Sequence, residues 1–332
     1  MLRIHFSSAD LVRTRISSTP DPMWELALSI HLLRYRGTDP LLGGWKNRMI
    51  ADLKPGGVLR DQVSLLLALN PPVGYFPDFL TPPEAATGFA PGLEAVLSTP
   101  KDRLRKEINA LGDAQGSLSG NVDDVGVGST RALGELGTAI SRYHETAIAP
   151  MWDRVRTAVD ADRGLRARTM LDSGTEGLLN TIHPTVRFDG SVLEISEYPS
   201  DRDVYLEGRG LQLVPSYFKT PSKPVCLFDP DLPPVLVYSV HHEARAAVVR
   251  SQEALAALLG RTRAAVVDLV ADGSTTTEIA RRLEVSPAAA SQHVAVLREA
   301  GLVHSLRDRN TVLHTLTPLG HAMLAGRSPT PT

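Results

Sequence analysis

The chain has 332 residues, 42% apolar and 22% charged, an ordinary globular composition that excludes wholesale disorder and sets two or three domains as the expectation. A single cysteine, Cys226, excludes an intrachain disulfide and a thiolate zinc cluster within one subunit. A net charge of -2 excludes a global basic field that would draw in nucleic acid, so any such binding must come from a local patch.

No apolar run approaches the ~18 residues of a membrane span. The start, MLRIHFSSADLVRTRIS, lacks the apolar stretch of a signal peptide. The expected setting is the cytoplasm, with no membrane partner.

In chain order, LRIHF alternates apolar and basic residues and predicts a short strand. Ser8 is placed to cap a short helix through Arg15. After Pro20 and Pro22, the apolar residues Met23, Trp24, Leu26, Ile30 and Leu33 have helical spacing. Residues 41–53 and 59–69 read as two more helices around Pro55-Gly56-Gly57. The stretch 70–92 holds six prolines and three glycines and predicts irregular backbone. Helix returns over 93–112, residues 112–128 read as a mobile loop, and 129–182 is helical with a break at Pro150.

The character changes at Pro184. Strands are expected at 185–189, 191–196, 203–207, 210–215, 224–228 and 235–240, with Asp189-Gly190 as a hairpin turn between the first two. Helices follow at 243–259 and 261–271, then a small α/β unit to about residue 325. The expected fold class is mainly α with a small antiparallel β region (α+β). The expected domains are a mostly helical 1–183, a β region at 184–242 packed on it, and a C-terminal 243–332.

The most informative stretch is 274–317. Thr275 and Glu278 have capping-box spacing over EIARRL. Ser286 caps a second helix with Pro287 at its first position, and Gly301 stops it. Ala290, Val294 and Leu297 fall on one face of that helix, leaving Ser291, Gln292, His293 and Arg298 to face outward. Two short helices joined by a tight turn predict a helix-turn-helix. LVHSL and TVLHTLT then alternate around RDRN, a hairpin that would carry Arg307 and Arg309 at its tip and make a winged helix.

This arrangement suits DNA. Ala288 and its alanine neighbours let the helix start approach closely, where unpaired N–H groups favour phosphate. A glutamine can bond adenine in a bidentate way, and Ser and His read base edges less selectively. Arginines on a wing suit phosphates or a narrow minor groove. Thr276 and Ser286, at the two helix starts, complete the set of DNA-binding candidates. From residue 261 onward there are eight arginines and six acidic residues. So small an excess predicts two copies acting together.

SPAAASQHVAVLREAGLV closely resembles the recognition-helix region of ArsR-type winged-helix repressors, over about 260–325. The resemblance implies that Ser291-Gln292-His293 and the hairpin contact operator DNA. LRIHFSSADLVRTRI and PDPMWELALSIHLL are similar to the long forms of such regulators. The metal-sensing members carry paired cysteines near the first helix of the turn motif, or His/Asp/Glu pairs on a C-terminal helix. Here 276–283 is TTEIARRL and the closing helix offers only His321, so no metal site is expected.

The remaining candidates favour structural roles. His241-His242-Glu243 lies where adjacent residues point to opposite faces. His144-Glu145 reads as helix surface, His183 as a helix end, Cys226 as a buried core thiol, and LEGRGLQL as a turn. Trp24, Trp45, Tyr75, Phe76, Tyr143, Trp152, Tyr217 and Phe218 read as core, with a ligand pocket as the alternative. No catalytic constellation and no cofactor is expected. The expected function is a homodimeric, sequence-specific transcriptional regulator of the repressor kind, bound to double-stranded operator DNA. Its N-terminal part would dimerise and leave room for a small apolar effector whose site is unknown. The alternatives are a protein-interaction module without ligand and an enzyme fused to a DNA-binding domain.

Overall fold

Leu2 and Ile4 alternate with Arg3 and His5, and the alternation becomes strand β1 (Leu2–His5) with its apolar pair buried. The structure is a computed structural model that describes residues 1–35, 42–57, 59–71, 75–116, 120–199, 201–220, 222–240, 256–271, 273–308, 311–317, 319–320 and 323. The side chains of residues 120, 307, 308 and 311 lie outside that description. The chain divides into two units, Met1–Ala244 and Arg245–Thr332.

In the first unit, Ser7 rather than Ser8 caps helix α1 (Ser8–Arg13), because Asp10 completes a capping box with it. The chain then turns at once into strand β2 (Arg15–Ile16). Asp21 caps α2 (Pro22–Arg34), accepting from the backbone N–H groups of Met23 and Trp24, with Pro22 at the first helical position. The helices α3 (Gly43–Leu53) and α4 (Ser64–Leu69) follow.

The proline-rich stretch forms two short 3-10 turns, Asp78–Leu80 and Pro83–Thr87. The helix expected over 93–112 is two, divided before Pro100: α5 (Phe89–Leu97) begins earlier than expected, since Pro91 sits in its first turn, where its missing N–H leaves no bond unmade. Helix α6 (Lys101–Gln115) leads to α7 (Gly120–Gly126). The expected loop at 112–128 is thus partly helix, because Val122 and Val125 are fully buried and anchor it. Helix α8 (Thr130–Tyr143) passes through one turn of π-helix and one of 3-10 helix around Pro150 into α9 (Trp152–Asn180).

The strands are β3 (Val186–Phe188), β4 (Val192–Ile195), β5 (Arg202–Tyr205), β6 (Gln212–Ser216), β7 (Val225–Leu227) and β8 (Val235–Ser239). They do not form the expected separate antiparallel region. With β1 and β2 they make two mixed four-stranded sheets, ordered β3-β4-β1-β5 and β2-β6-β8-β7. β1 lies antiparallel to β4 and parallel to β5, and β2 lies parallel to β6, itself parallel to β8. Parallel neighbours need long connections, and here the helical region lies in the chain between β1 and β2 and the strands they pair with.

The two sheets share a core with the end of α9. Leu2, Ile4, Leu193 and Ile195 from one sheet meet Leu213, Leu236 and Tyr238 from the other around Leu178, Leu179 and Ile182. The opposite face of β6 carries Gln212, Val214 and Ser216, and Ser216 meets α2. There Glu25, fully buried, accepts from Ser216 Oγ at 2.8 Å, Tyr217 N at 2.8 Å and Phe218 N at 3.0 Å. A second buried clamp joins Asp162 and Arg166 of α9 at 3.5 Å, with the Tyr238 hydroxyl donating to Asp162 at 2.8 Å.

The second unit contains α10 (Arg261–Val270), β9 (Ser274–Thr275), α11 (Thr276–Arg282), α12 (Pro287–Glu299), β10 (Val303–Asp308) and β11 (Thr311–Leu316). Its core joins Val266, Val267, Ile279, Ala290, Val294 and Leu297 to Leu302, Val303 and Leu316. Burying a side chain such as Ile279 or Leu297 contributes about 1.5–3 kcal/mol. No helix among the described residues is long and apolar enough to cross a membrane.

Candidate nucleic-acid interface

The geometry of 274–316 follows from local bonds. Thr275 Oγ1 accepts from Glu278 N at 3.3 Å while Glu278 Oε2 accepts from Thr275 N at 3.2 Å, closing a capping box on α11. The helix ends with Leu283 N donating to Ile279 O and Val285 N to Ala280 O, both at 3.0 Å. Glu284 between them takes φ +55°, a left-handed conformation that ordinarily favours glycine. That bend turns the chain so that Ser286 can cap α12, its Oγ accepting from Ala289 N at 3.1 Å.

On α12, Ala290, Val294 and Leu297 are buried, while Ala288, Ser291, Gln292 and Arg298 are exposed and His293 is half-buried. Ala288, Ser291, Gln292 and Arg298 lie on successive turns of the outward face, with half-buried Ala295 among them. The exposed side of α12 carries the polar Ser291, Gln292 and Arg298 with Val296 beside them, and its first turn carries only small side chains. Arg281 and Arg282 at the end of α11 are also exposed.

β10 and β11 form an antiparallel hairpin, with β9 as third strand against β11. β10 runs two residues beyond LVHSL, while β11 stays within TVLHTLT. Arg307 stands within β10, opposite Val312, and not at the tip. Arg309 lies outside the described residues, as do His241, His242, Glu243 and His321.

Thr276 is half-buried and its hydroxyl is engaged inward, 2.9 Å from His314 Nε2. The other ring nitrogen of His314 lies 2.9 Å from Ser305 Oγ. Burial, and to a lesser degree the charge of Arg298, lowers the pKa of His314 and favours the neutral ring. A neutral imidazole has one donor and one acceptor nitrogen, so it ties α11 to both strands of the hairpin with both hydroxyls satisfied. His314 was not among the sequence candidates. The available signal was its place on the same strand face as Leu316, which points into the core.

The other candidates resolve into packing. Trp45 is buried against Phe218, its indole N–H donating to Ala147 O at 2.8 Å. The Tyr143 hydroxyl lies 2.9 Å from Ser29 Oγ. His144 stacks on Phe89, and His183 Nδ1 lies 2.8 Å from Thr185 Oγ1. Cys226 packs against the shared sheet core, where desolvation pushes its thiol up to about 12, far from the thiolate needed for redox or metal chemistry. Among the described residues no group of His, Cys, Asp and Glu is placed to hold a metal ion.

Residues 258–305 match the family model of a helix-turn-helix domain, which spans α10 to the start of β10. That match supports a DNA-binding regulator. No curated protein and no solved structure matches the chain.

Proposed function

We propose that the protein is a transcriptional repressor of the winged-helix, ArsR-like kind. In this reading α12 enters the major groove of operator DNA and the β10–β11 hairpin is the wing. The observation that carries the proposal is the face of α12. A capped helix with alanines in its first turn presents Ser291, Gln292 and Arg298 outward, the residue types that read base edges and phosphates.

The first unit serves as the dimerising and effector-binding part, and the protein is a cytoplasmic homodimer with no enzymatic activity. Support for a dimer comes from the small charge excess from residue 261 onward, eight arginines against six acidic residues, which leaves a single copy few cationic contacts to phosphate.

The test is Gln292→Ala, measured on a DNA site selected by the full chain from a random pool. The expected loss is about 1–3 kcal/mol on the selected site and little on random DNA. Equal losses on both would make Gln292 a backbone contact. In the same assay, Arg307→Ala with Arg309→Ala weakens all sequences alike and flattens the salt dependence by up to about two units per wing.

A further inference from the structure

The α2-facing side of the second sheet is closed at one end by Glu25 and open at the other. At the open end lies a cavity of about 360 Å³. Val214, Leu227 and Val235 of the sheet line it, together with Trp24, Leu232 and the Pro82-Pro83 pair. The volume falls in the range of small-molecule sites, and the lining is mainly apolar with a few polar groups, as such sites are.

One of those polar groups is Asp21, which is 6% exposed. Its Oδ1 takes both capping bonds, from Met23 N at 2.9 Å and Trp24 N at 3.0 Å. Its Oδ2 has no hydrogen-bond or ion-pair partner among the described residues. A desolvated carboxylate without a counter-charge is costly, and burial pushes this one up to about 6 despite the two backbone donors. An uncharged cap would satisfy the same two N–H groups.

Of the other polar groups, Thr19 and Thr81 donate to backbone, to Ala86 O at 3.0 Å and Asp78 O at 3.3 Å, while Arg15, Gln212 and Ser17 are engaged with one another. Arg15 Nε donates to Gln212 Oε1 at 2.8 Å, and Gln212 Nε2 donates to Ser17 Oγ at 2.8 Å. Arg15 is exposed, so water and salt screen its charge at the rim.

We propose that this cavity binds a small molecule with an apolar body and one protonated amine, the amine pairing with Asp21 Oδ2 and the body lying against Trp24, Val214 and Val235. This rests on reading the first unit as the effector-binding part. The experiment below contains no DNA, so its failure and the failure of the DNA-binding reading are distinguishable.

The test is calorimetric titration of the full chain with 4-phenylbutylamine and, separately, 4-phenylbutyrate, which differ in the sign of the head group. The amine binds roughly tenfold or more tighter than the acid. Asp21→Asn keeps an oxygen for both capping bonds, holds the fold, and removes that preference. Ala86→Trp adds bulk at an exposed position of the cavity wall and abolishes binding of both compounds. Equal affinity for amine and acid in the wild type overturns the proposal. So does amine binding that survives Asp21→Asn or Ala86→Trp unchanged, or the absence of heat from either compound at millimolar concentration.

Discussion

The two units bury different chemistry. Among the described residues the second unit encloses an apolar core and only two buried polar side chains, Ser274 and His314. The first encloses Asp10, Asp21, Glu25, Glu107, Asp162, Arg166 and Lys219. Several of these reach far along the chain. Glu25 binds Ser216, 191 residues away, and Asp10 Oδ1 accepts from Gly210 N, 200 residues away, at 2.9 Å. Among the described residues the side-chain hydrogen bonds of the second unit span at most 38 residues, from Thr276 to His314, whereas the first unit is joined by polar clamps between segments some 200 residues apart. A clamp of that kind adds little while complete, but removing one partner strands the others out of water.

The sharpest way to break this comparison is Glu25→Ala. It leaves the Ser216 hydroxyl and the N–H groups of Tyr217 and Phe218 buried without an acceptor. The expected cost is about 3–5 kcal/mol, read by urea unfolding of the full chain as a shift in the first unit's transition alone. An equal shift in the transition of the second unit would show that the two are not independent. Glu25→Gln is milder and carries a pH signature. Burial pushes the Glu25 carboxyl from 4.5 up to about 7, so between those values the folded chain holds more protons than the unfolded one. Stability from this group is present below about 4.5 and is lost as pH rises through about 7. Half-buried His31, lowered by desolvation to about 4, contributes in the opposite sense between about 4 and its ordinary 6.5. Comparing Glu25→Gln with the wild type isolates the glutamate.

The next effect in size concerns DNA. A fragment spanning 245–332 is expected to fold, since its core closes on itself, and to bind the selected site about 100-fold more weakly than the full chain. The loss comes from the missing second copy, and light scattering checks it as a monomer. A fragment that is dimeric with full affinity would move dimerisation into the second unit.

The smallest effect sharpens the claim that the second unit is locally encoded. Ser286→Ala removes the acceptor for Ala289 N and costs about 1 kcal/mol. It shifts the second unit's transition and leaves that of the first unchanged.

The same contrast explains how much was legible in advance. Both caps of the helix-turn-helix, the inward set Ala290, Val294 and Leu297, and the hairpin follow from residues within a few positions of each other, and periodicity and cap chemistry report on that scale. In the first unit the strands other than β2 were legible to within a residue or two, for the same reason, whereas Arg15, expected at a helix end, begins β2. What escaped was relational. Glu284 in a left-handed turn carries no local mark, because glycine is the usual occupant. His314 looks like any polar residue on a strand until Thr276 and Ser305 close around it.

By itself the sequence determined where most helices and strands begin and end, and that residues 274–316 form two capped helices and a hairpin. Only the tertiary structure decided that β1 and β2 enter two mixed sheets, that Glu25 and Asp162 are clamps, and that Asp21 both caps a helix and faces a cavity. Pairing of a four-residue or two-residue strand is settled by partners some 200 positions away. A carboxylate shows its surroundings only once the chain has closed over it, because desolvation belongs to the folded interior and leaves no trace in the order of residues.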